Sequence, residues 1–313
     1  MALPTGSFTG TSDISNLVKA AYDQYVRMAL RSIPVMRALA DVKPVQQAMP
    51  GSSVVFSIYS DLAAATSTLT ETSDVSSIAL GNPSQVTVTL NEYGSAVTTT
   101  KKLNLTSFND VDAALADIIA YNAADSIDSV VAAVLTAGTN VIYGGNATTT
   151  NTIDSSDTIS VADIRNAVTE LRTNKALPRL GELYAAYLHP RQAADLRAES
   201  GTGGFQDIVK YTDNVSKTII PGSVGVIEGA FVVETPRVPY AANTNSPAVN
   251  VYKAVVAGRE ALAEAMGQDI NTVIGPEIDA LRRFRTIGWY YFGGFARLRE
   301  AALYRIETSA SAG

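Results

Sequence analysis

The stretch FNDVDAALADIIAYNAADSIDSVVAAVLTAG, residues 108–138, decides how the rest of the chain is arranged. Apolar side chains at Val111, Leu115, Ile118, Ile119, Ile127, Val130, Val131, Val134 and Leu135 recur at the three-and-four spacing that lines one side of an α-helix. Ser107 followed by Asp110 matches the start signal of a capping box, and Gly138 is a stop. The helix predicted over 108–137 is roughly 45 Å long from the rise per residue, well beyond the usual three turns. Only a long neighbouring surface can bury such a stripe. Asp112, Asp117, Asp125 and Asp128 are assigned to an acidic outer side. The pattern leaves two readings open: a long core helix of one large domain, or a spine joining two lobes of a flat subunit.

With 313 residues and 46% hydrophobic content, the chain can fill a substantial core, as one large domain or two ordinary ones. It has no cysteine, which excludes disulfides, thiolate nucleophiles, iron–sulfur clusters and cysteine-based zinc sites. A net charge of -6 and a pI near 4.9 argue against a dedicated nucleic-acid binder. The first basic residue is Lys19, and no uninterrupted apolar run approaches the ~18 residues of a membrane span, so a cytoplasmic protein with no membrane partner is expected.

Outward from the central stretch, residues 1–13 read as a loose Gly, Ser and Thr rich arm. A helical pattern follows from Ile14 to Leu39, with Tyr25, Met28 and Met36 on its apolar side, Arg27, Arg31 and Arg37 around it, and Pro34 kinking or ending it. Val54, Phe56 and Ile58 alternate as one strand, and Val86, Val88 and Leu90 as another. Between them, Ser60 to Gln85 is too long for a hairpin turn and carries Leu62, Leu69, Glu71, Asp74, Val75, Ile78 and Leu80 without a core of its own, so it reads as a projecting arm that lies on another subunit. Glu92 to Thr100 is a further strand.

Beyond the helix, Gly144 to Ser156 reads as a linker between lobes. Ser160 and Asp163 cap a helix bearing Ile164, Val168 and Leu171; Leu183 to Leu188 is a buried strand; Pro190 opens another helix. Gly201 to Ile220 reads as loop or short helix, 224–233 and 249–256 as strands, and Ala261 to Met266 as a scrap of helix. The segments from Ile287 and from Ala302 are strand-like and able to return to the strand before the central helix. Arg282, Arg283, Arg285, Arg297, Arg299 and Arg305 form the strongest basic cluster, suited to phosphate contact or, in preference, to subunit salt bridges. The fold class is α+β.

Catalytic chemistry finds little purchase. His189 is the single histidine, so a Ser-His-Asp triad would have to use it, yet its place before Pro190 suits a helix cap better. A histidine-based metal site is excluded by count, and Gly222 to Gly229 lacks both the phosphate-loop and the dinucleotide spacing. Glu260 and Glu264 would share a helix face, with no partner acid in view. No catalytic, cofactor or metal residue is assigned.

Taken in order, these parts resemble the major capsid protein of tailed double-stranded DNA bacteriophages, a fold shared with encapsulin shells. The wording of Glu92-Tyr-Gly-Ser-Ala-Val-Thr, of Tyr187-Leu-His-Pro-Arg-Gln-Ala-Ala-Asp-Leu-Arg and of Gly225-Val-Ile-Glu-Gly-Ala-Phe-Val-Val-Glu-Thr is similar to one branch of phage coat proteins. The resemblance implies an N-terminal arm with helix (1–50), an extended loop (51–90), a peripheral domain with the spine helix (91–154 and 266–307), an axial domain (155–265) and a flexible tail (308–313). It also implies a non-enzymatic subunit that assembles into hexamers and pentamers and then an icosahedral shell around packaged DNA. Portal, scaffold and cementing proteins would be its partners. An encapsulin-like compartment is the alternative, and a hydrolase using His189 the rival from another class. Some relatives cross-link a loop lysine to a neighbour's asparagine; residues 51–100 contain no lysine, so non-covalent contacts are expected instead. Nothing long and charged precedes residue 14, so a separate scaffold is expected over a fused one. The inter-subunit contact candidates are Leu62, Leu69, Glu71, Asp74, Val75, Ile78, Leu80, Tyr25, Arg27, Arg31, Arg282, Arg283 and Arg285.

Overall fold

A computed structural model describes residues 34–44, 52–59, 61–69, 71–72, 74–75, 77–106, 111–199, 223–244, 247–277 and 279–311. Tyr25, Arg27 and Arg31, the cap at Ser107 and Asp110, and the Gly201–Ile220 segment lie outside these residues.

In chain order, a single 3-10 turn (Met36–Leu39) leads into β1 (Ala40–Pro44), followed by β2 (Ser53–Ile58), β3 (Ser84–Thr89), β4 (Asn91–Thr100), α1 (Lys101–Thr106) and the long α2 (Val111–Thr136). The chain continues through β5 (Val141–Tyr143), α3 (Val161–Thr173), β6 (Tyr184–Leu188), α4 (Pro190–Ala198), β7 (Ser223–Ile227) and β8 (Ala230–Glu234). It closes with β9 (Tyr240–Ala242), β10 (Asn250–Ala257), β11 (Leu262–Ile274), β12 (Phe284–Arg297) and β13 (Leu303–Thr308). Among the described residues the strands form three sheets: β1-β11-β12-β4; β5-β13-β10-β6-β8-β7 with β9 also on β10; and the ribbon β2-β3.

Of the two late segments expected to return to the strand before the spine, one does so, with β12 antiparallel to β4 from Phe284↔Thr100 to Gly293↔Asn91, whereas β13 lies between β10 and β5 in the seven-stranded sheet. The seven-stranded sheet is covered on both faces because its strands alternate two apolar sets. Ala186, Leu188, Val232 and Val256 face Ile164, Val168 and Leu171 of α3, while Tyr187, Phe231, Val233 and Val255 face Val131 and Leu135 of α2. The earlier half of α2 packs elsewhere, placing Ile119, Ala123 and Ile127 on Ile287, Trp289 and Tyr291 of the four-stranded sheet. One helix of ~39 Å therefore lies across two sheets. Leu115–Thr136 is long and apolar enough to cross a membrane, but Ile127, Val131 and Leu135 are wholly buried in protein, the mark of a core helix.

Several expectations need correction. Asp128 is fully buried, because α2 is covered on that side by the 34–39 segment, whereas Ile118, assigned to the stripe, is exposed. Ala261–Met266 is no helix: Leu262–Met266 pairs with β1 in parallel and with β12 antiparallel, and pairing on both sides overrides the helical propensity of its alanines, leucine and glutamate. Glu260 and Glu264 consequently share no helix face; Glu260 sits at positive φ before the strand. After Pro34 the chain makes only one 3-10 turn before entering β1, so the helix read as reaching Leu39 does not extend that far.

The Gly144–Ser156 linker is tied down. Asp157 accepts the Asp154 N–H at 2.9 Å, the Ile153 carbonyl accepts from Asn243 at 2.7 Å, and Ile153 is wholly buried. Residues 308–311 belong to no flexible tail either: Thr308 and Ser309 are buried, and the Ser311 N–H donates to Asp195 at 2.9 Å.

Candidate subunit-contact surfaces

The ribbon β2-β3 grows from the four-stranded sheet where Thr89 meets β12. The approach is so close that a Cβ on Gly294 would collide with the Thr89 carbonyl. Val54 pairs with Val88 and Phe56 with Val86, the facing expected of these two strands. Beyond the ribbon, every described residue from Asp61 to Asn82 is exposed, including the candidates Glu71 and Asp74. Leu62, Leu69, Val75, Ile78 and Leu80 are exposed too, Leu69 by 76% and Ile78 by 71%. A run of large apolar side chains in water marks a surface made to be covered.

A second apolar patch lies at the end of the four-stranded sheet where Ile274, Phe284 and Thr100 sit. There Val273, Ile274, Leu281, Leu103 and Leu105 are exposed, Leu105 by 77%. The predicted arginines Arg282, Arg283 and Arg285 cluster at this end. Arg282 is exposed at φ 51°. Arg283 pairs with Asp279 at 2.5 Å and overlies the Phe284 ring at 5.4 Å. The Arg285 carbonyl accepts from Thr99 at 3.3 Å.

The other arginines of that basic cluster are engaged within the chain: Arg297 with Glu300 at 2.8 Å, Arg299 with Glu260 at 2.7 Å and Arg305 with Glu307 at 2.8 Å. Two of them close the spine helix. Arg297 donates to the Val134 carbonyl at 3.0 Å, and Arg305 to the carbonyls of Thr136 and of Gly138, the latter at 3.0 Å. The last turn of α2 has no basic residue of its own, so cations from β12 and β13 meet the negative end of its dipole. Nothing in the spacing of the sequence signals this pairing.

A buried polar network roots the segment that follows Pro34. The Asp128 carboxylate accepts the backbone N–H groups of Val35, Met36 and Arg37 at 3.3, 2.7 and 3.0 Å, and faces the Arg237 guanidinium at 3.6 Å. Burial pushes the Asp128 carboxyl above its ordinary value against the pull of these N–H donors. Arg37 reaches the fully buried Glu264 at 2.6 Å, and the Tyr291 hydroxyl donates to the same carboxylate at 2.9 Å. Desolvation and the adjoining Glu264 charge raise the Tyr291 hydroxyl far above its usual range. Tyr187, buried and near Asp128, rises to about 12. Sequence reasoning missed this network because Asp128 and Glu264 carry the pattern of surface acids.

His189 performs the capping role expected of it. Its Nδ1 accepts the Arg191 N–H at 3.2 Å while Gln192 completes the box, and its ring lies 4.6 Å from that of Tyr252. Burial, helped by the Arg191 charge, lowers its pKa, keeping the nitrogen free to accept. Occupied in this way, His189 is not poised as a base.

The family described as phage capsid protein matches residues 9–311 of this chain. The chain belongs to that family. No curated protein matches the sequence. Among solved structures, the capsid of Ralstonia phage GP4 is similar at a TM-score of 0.73 and 15% identity, covering 98% of each chain. The capsid asymmetric unit of cyanophage Pam1 gives 0.72 at 12% identity, covering 96% of this chain and 98% of that one. The acid-stable capsid of Helicobacter pylori bacteriophage KHP30 gives 0.72 at 14%, covering 98% and 100%. The fold is that of the tailed-phage major capsid proteins, and the protein is a structural component of a virion capsid. These matches favour a phage shell over an encapsulin compartment.

Proposed function

We propose that this protein assembles, in the bacterial cytoplasm, into hexamers and pentamers that close an icosahedral shell around packaged double-stranded DNA. It works without catalysis, cofactor or membrane. The observation that carries this reading is the extended loop, whose leucines, valine and isoleucine from Leu62 to Leu80 are exposed among the described residues and so become buried when a neighbour arrives. The Pro34–Asp41 segment is tied to the body, its Met36 N–H donating to Asp128 and its Asp41 carboxylate accepting the Glu260 N–H. The domain plan follows the same reading with its bounds shifted: loop 51–90, a peripheral domain built on the four-stranded sheet, which takes in β1 and all of β11, and an axial domain built on the seven-stranded sheet, which takes in β5 and β13. Portal and scaffold proteins, and a cementing protein where one is used, act as further partners. The net acidity keeps the subunit from adhering to the DNA it encloses.

Light scattering of the purified protein at rising concentration, followed by electron microscopy, tests the proposal. Closed shells, or discrete hexamers and pentamers, are expected, and particles recovered from infected cells should protect DNA from nuclease. A strict monomer both alone and in phage-producing cells would sink it.

A further inference from the structure

We infer that a small phosphate-class oxyanion binds in the cleft where the four-stranded and seven-stranded sheets are joined, held by Lys175 and Arg259, and that it fastens the two sheets to each other there. The inference is independent of shell assembly and is tested on the subunit itself.

The chain crosses between the sheets twice at this place. Residues 258–261 carry it from β10 of the seven-stranded sheet to β11 of the four-stranded one, and 298–302 carry it back from β12 to β13. The turn that follows α3 closes on these crossings. The Arg259 N–H donates to the Leu177 carbonyl at 2.7 Å, the Gly258 N–H to the Ala302 carbonyl at 2.9 Å and the Arg299 N–H to the Glu260 carbonyl at 3.1 Å. A Cβ on Gly258 would stand 2.7 Å from the Leu177 carbonyl, so the close approach requires glycine. Backbone alone therefore fixes the three turns. Between them lies a cleft of about 310 Å³, bordered by Asp61, Lys175, Arg259, Glu260 and Arg299.

Charge decides what this cleft takes. Arg299 is matched by Glu260 at 2.7 Å. Lys175 and Arg259 are exposed, and among the described residues neither has a carboxylate within ion-pair reach. Lys175 is not needed by the helix it follows. The N–H groups of Asn174, Lys175 and Ala176 donate to the carbonyls of Glu170, Arg172 and Leu171 at 2.9, 3.0 and 2.9 Å, so backbone closes the end of α3. At φ 55° Lys175 fills the left-handed position after a helix that glycine usually takes. Its ammonium is left for the cleft. A guanidinium fork and an ammonium on one polar recess suit the several oxygens and multiple charge of a phosphate. Asp61, on the rim, opposes such a ligand and limits its affinity. The net charge of -6 repels an extended polyanion, so the occupant is a small anion and not a DNA duplex.

Isothermal titration calorimetry of the purified full chain with tripolyphosphate, at an ionic strength held constant with chloride, tests the site. Saturable one-to-one binding is expected. Lys175→Ala with Arg259→Ala should weaken it at least about tenfold. The unliganded melting temperature should stay that of the parent, since both side chains are exposed. Asp61→Asn should tighten binding about threefold, the scale of one exposed charge. Lys101→Ala with Lys253→Ala removes the same charge away from the cleft and should leave the affinity within about twofold of the parent. Tripolyphosphate should also slow amide hydrogen exchange in residues 258–261 and 298–302 of the parent and not of the Lys175, Arg259 variant. Unchanged exchange overturns the fastening. Absence of saturable binding, an equal loss in the Lys101, Lys253 control, or tighter binding of a DNA duplex than of tripolyphosphate overturns the site.

Discussion

The seven-stranded sheet and the extended loop spend their apolar residues in opposite ways. In the sheet, all five side chains of β6 are buried, and Ala186, Leu188, Val232 and Val256 are sealed between strands and α3. In the loop, each leucine, valine and isoleucine stands in water. The sheet completes its burial within one chain and so stabilises the subunit. The loop leaves its burial unfinished, so its contribution is expected only in the assembly.

Substitutions separate the two kinds of contribution. The largest loss of subunit stability is expected where buried donors would be left unpaired. Asp128→Ala removes the acceptor for three backbone N–H groups, while Arg237 keeps its ion pair with Asp125, and should cost about 3–5 kcal/mol in chemical denaturation. A loss under about 1 kcal/mol would show that the network is replaced by water. Leu188→Ala, in a wholly buried position, should cost roughly 2–5 kcal/mol of subunit stability. Its shells, once formed, should keep the parent's morphology.

A smaller effect carries a pH signature. His189→Ala removes a helix cap and should cost about 1 kcal/mol near neutral pH. The His189 pKa is lower in the folded than in the unfolded chain, so its contribution is present above the unfolded value and lost as pH falls through the folded one. The stability gap between parent and variant should therefore close under acid, and a gap independent of pH would reject the Nδ1 cap.

The smallest effect on the subunit belongs to the loop. Deleting Leu62 to Leu80, or replacing Leu69 and Ile78 by alanine, should shift subunit stability by no more than about 0.5 kcal/mol while abolishing or reducing shell formation. Normal shells from the deletion would remove the distinction between the two regions.

The loop was legible in the sequence because twenty-odd residues of Ser, Thr and Ala between two alternating runs can form neither a hairpin turn nor a core. The caps at Ser160 and His189 were legible for a similar reason, since their partners lie within three residues. Asp128, Glu264, Arg297 and Arg305 were not. Each acts on a group far away along the chain, and a charged residue held by such a group has the same local spelling as one held by water.

By itself the sequence determined the α+β class, the long helix, the two strands of the ribbon, β4, β6 and β10, and the exposed loop, because periodicity, capping and turn chemistry act over a few neighbouring residues. Tertiary structure alone decided that Leu262–Met266 is a strand, that Asp128 faces inward, and that α2 ends on arginines borrowed from β12 and β13. In each case the deciding partner stands far off in sequence, and the energy of that long-range contact exceeds the local preference it overrides.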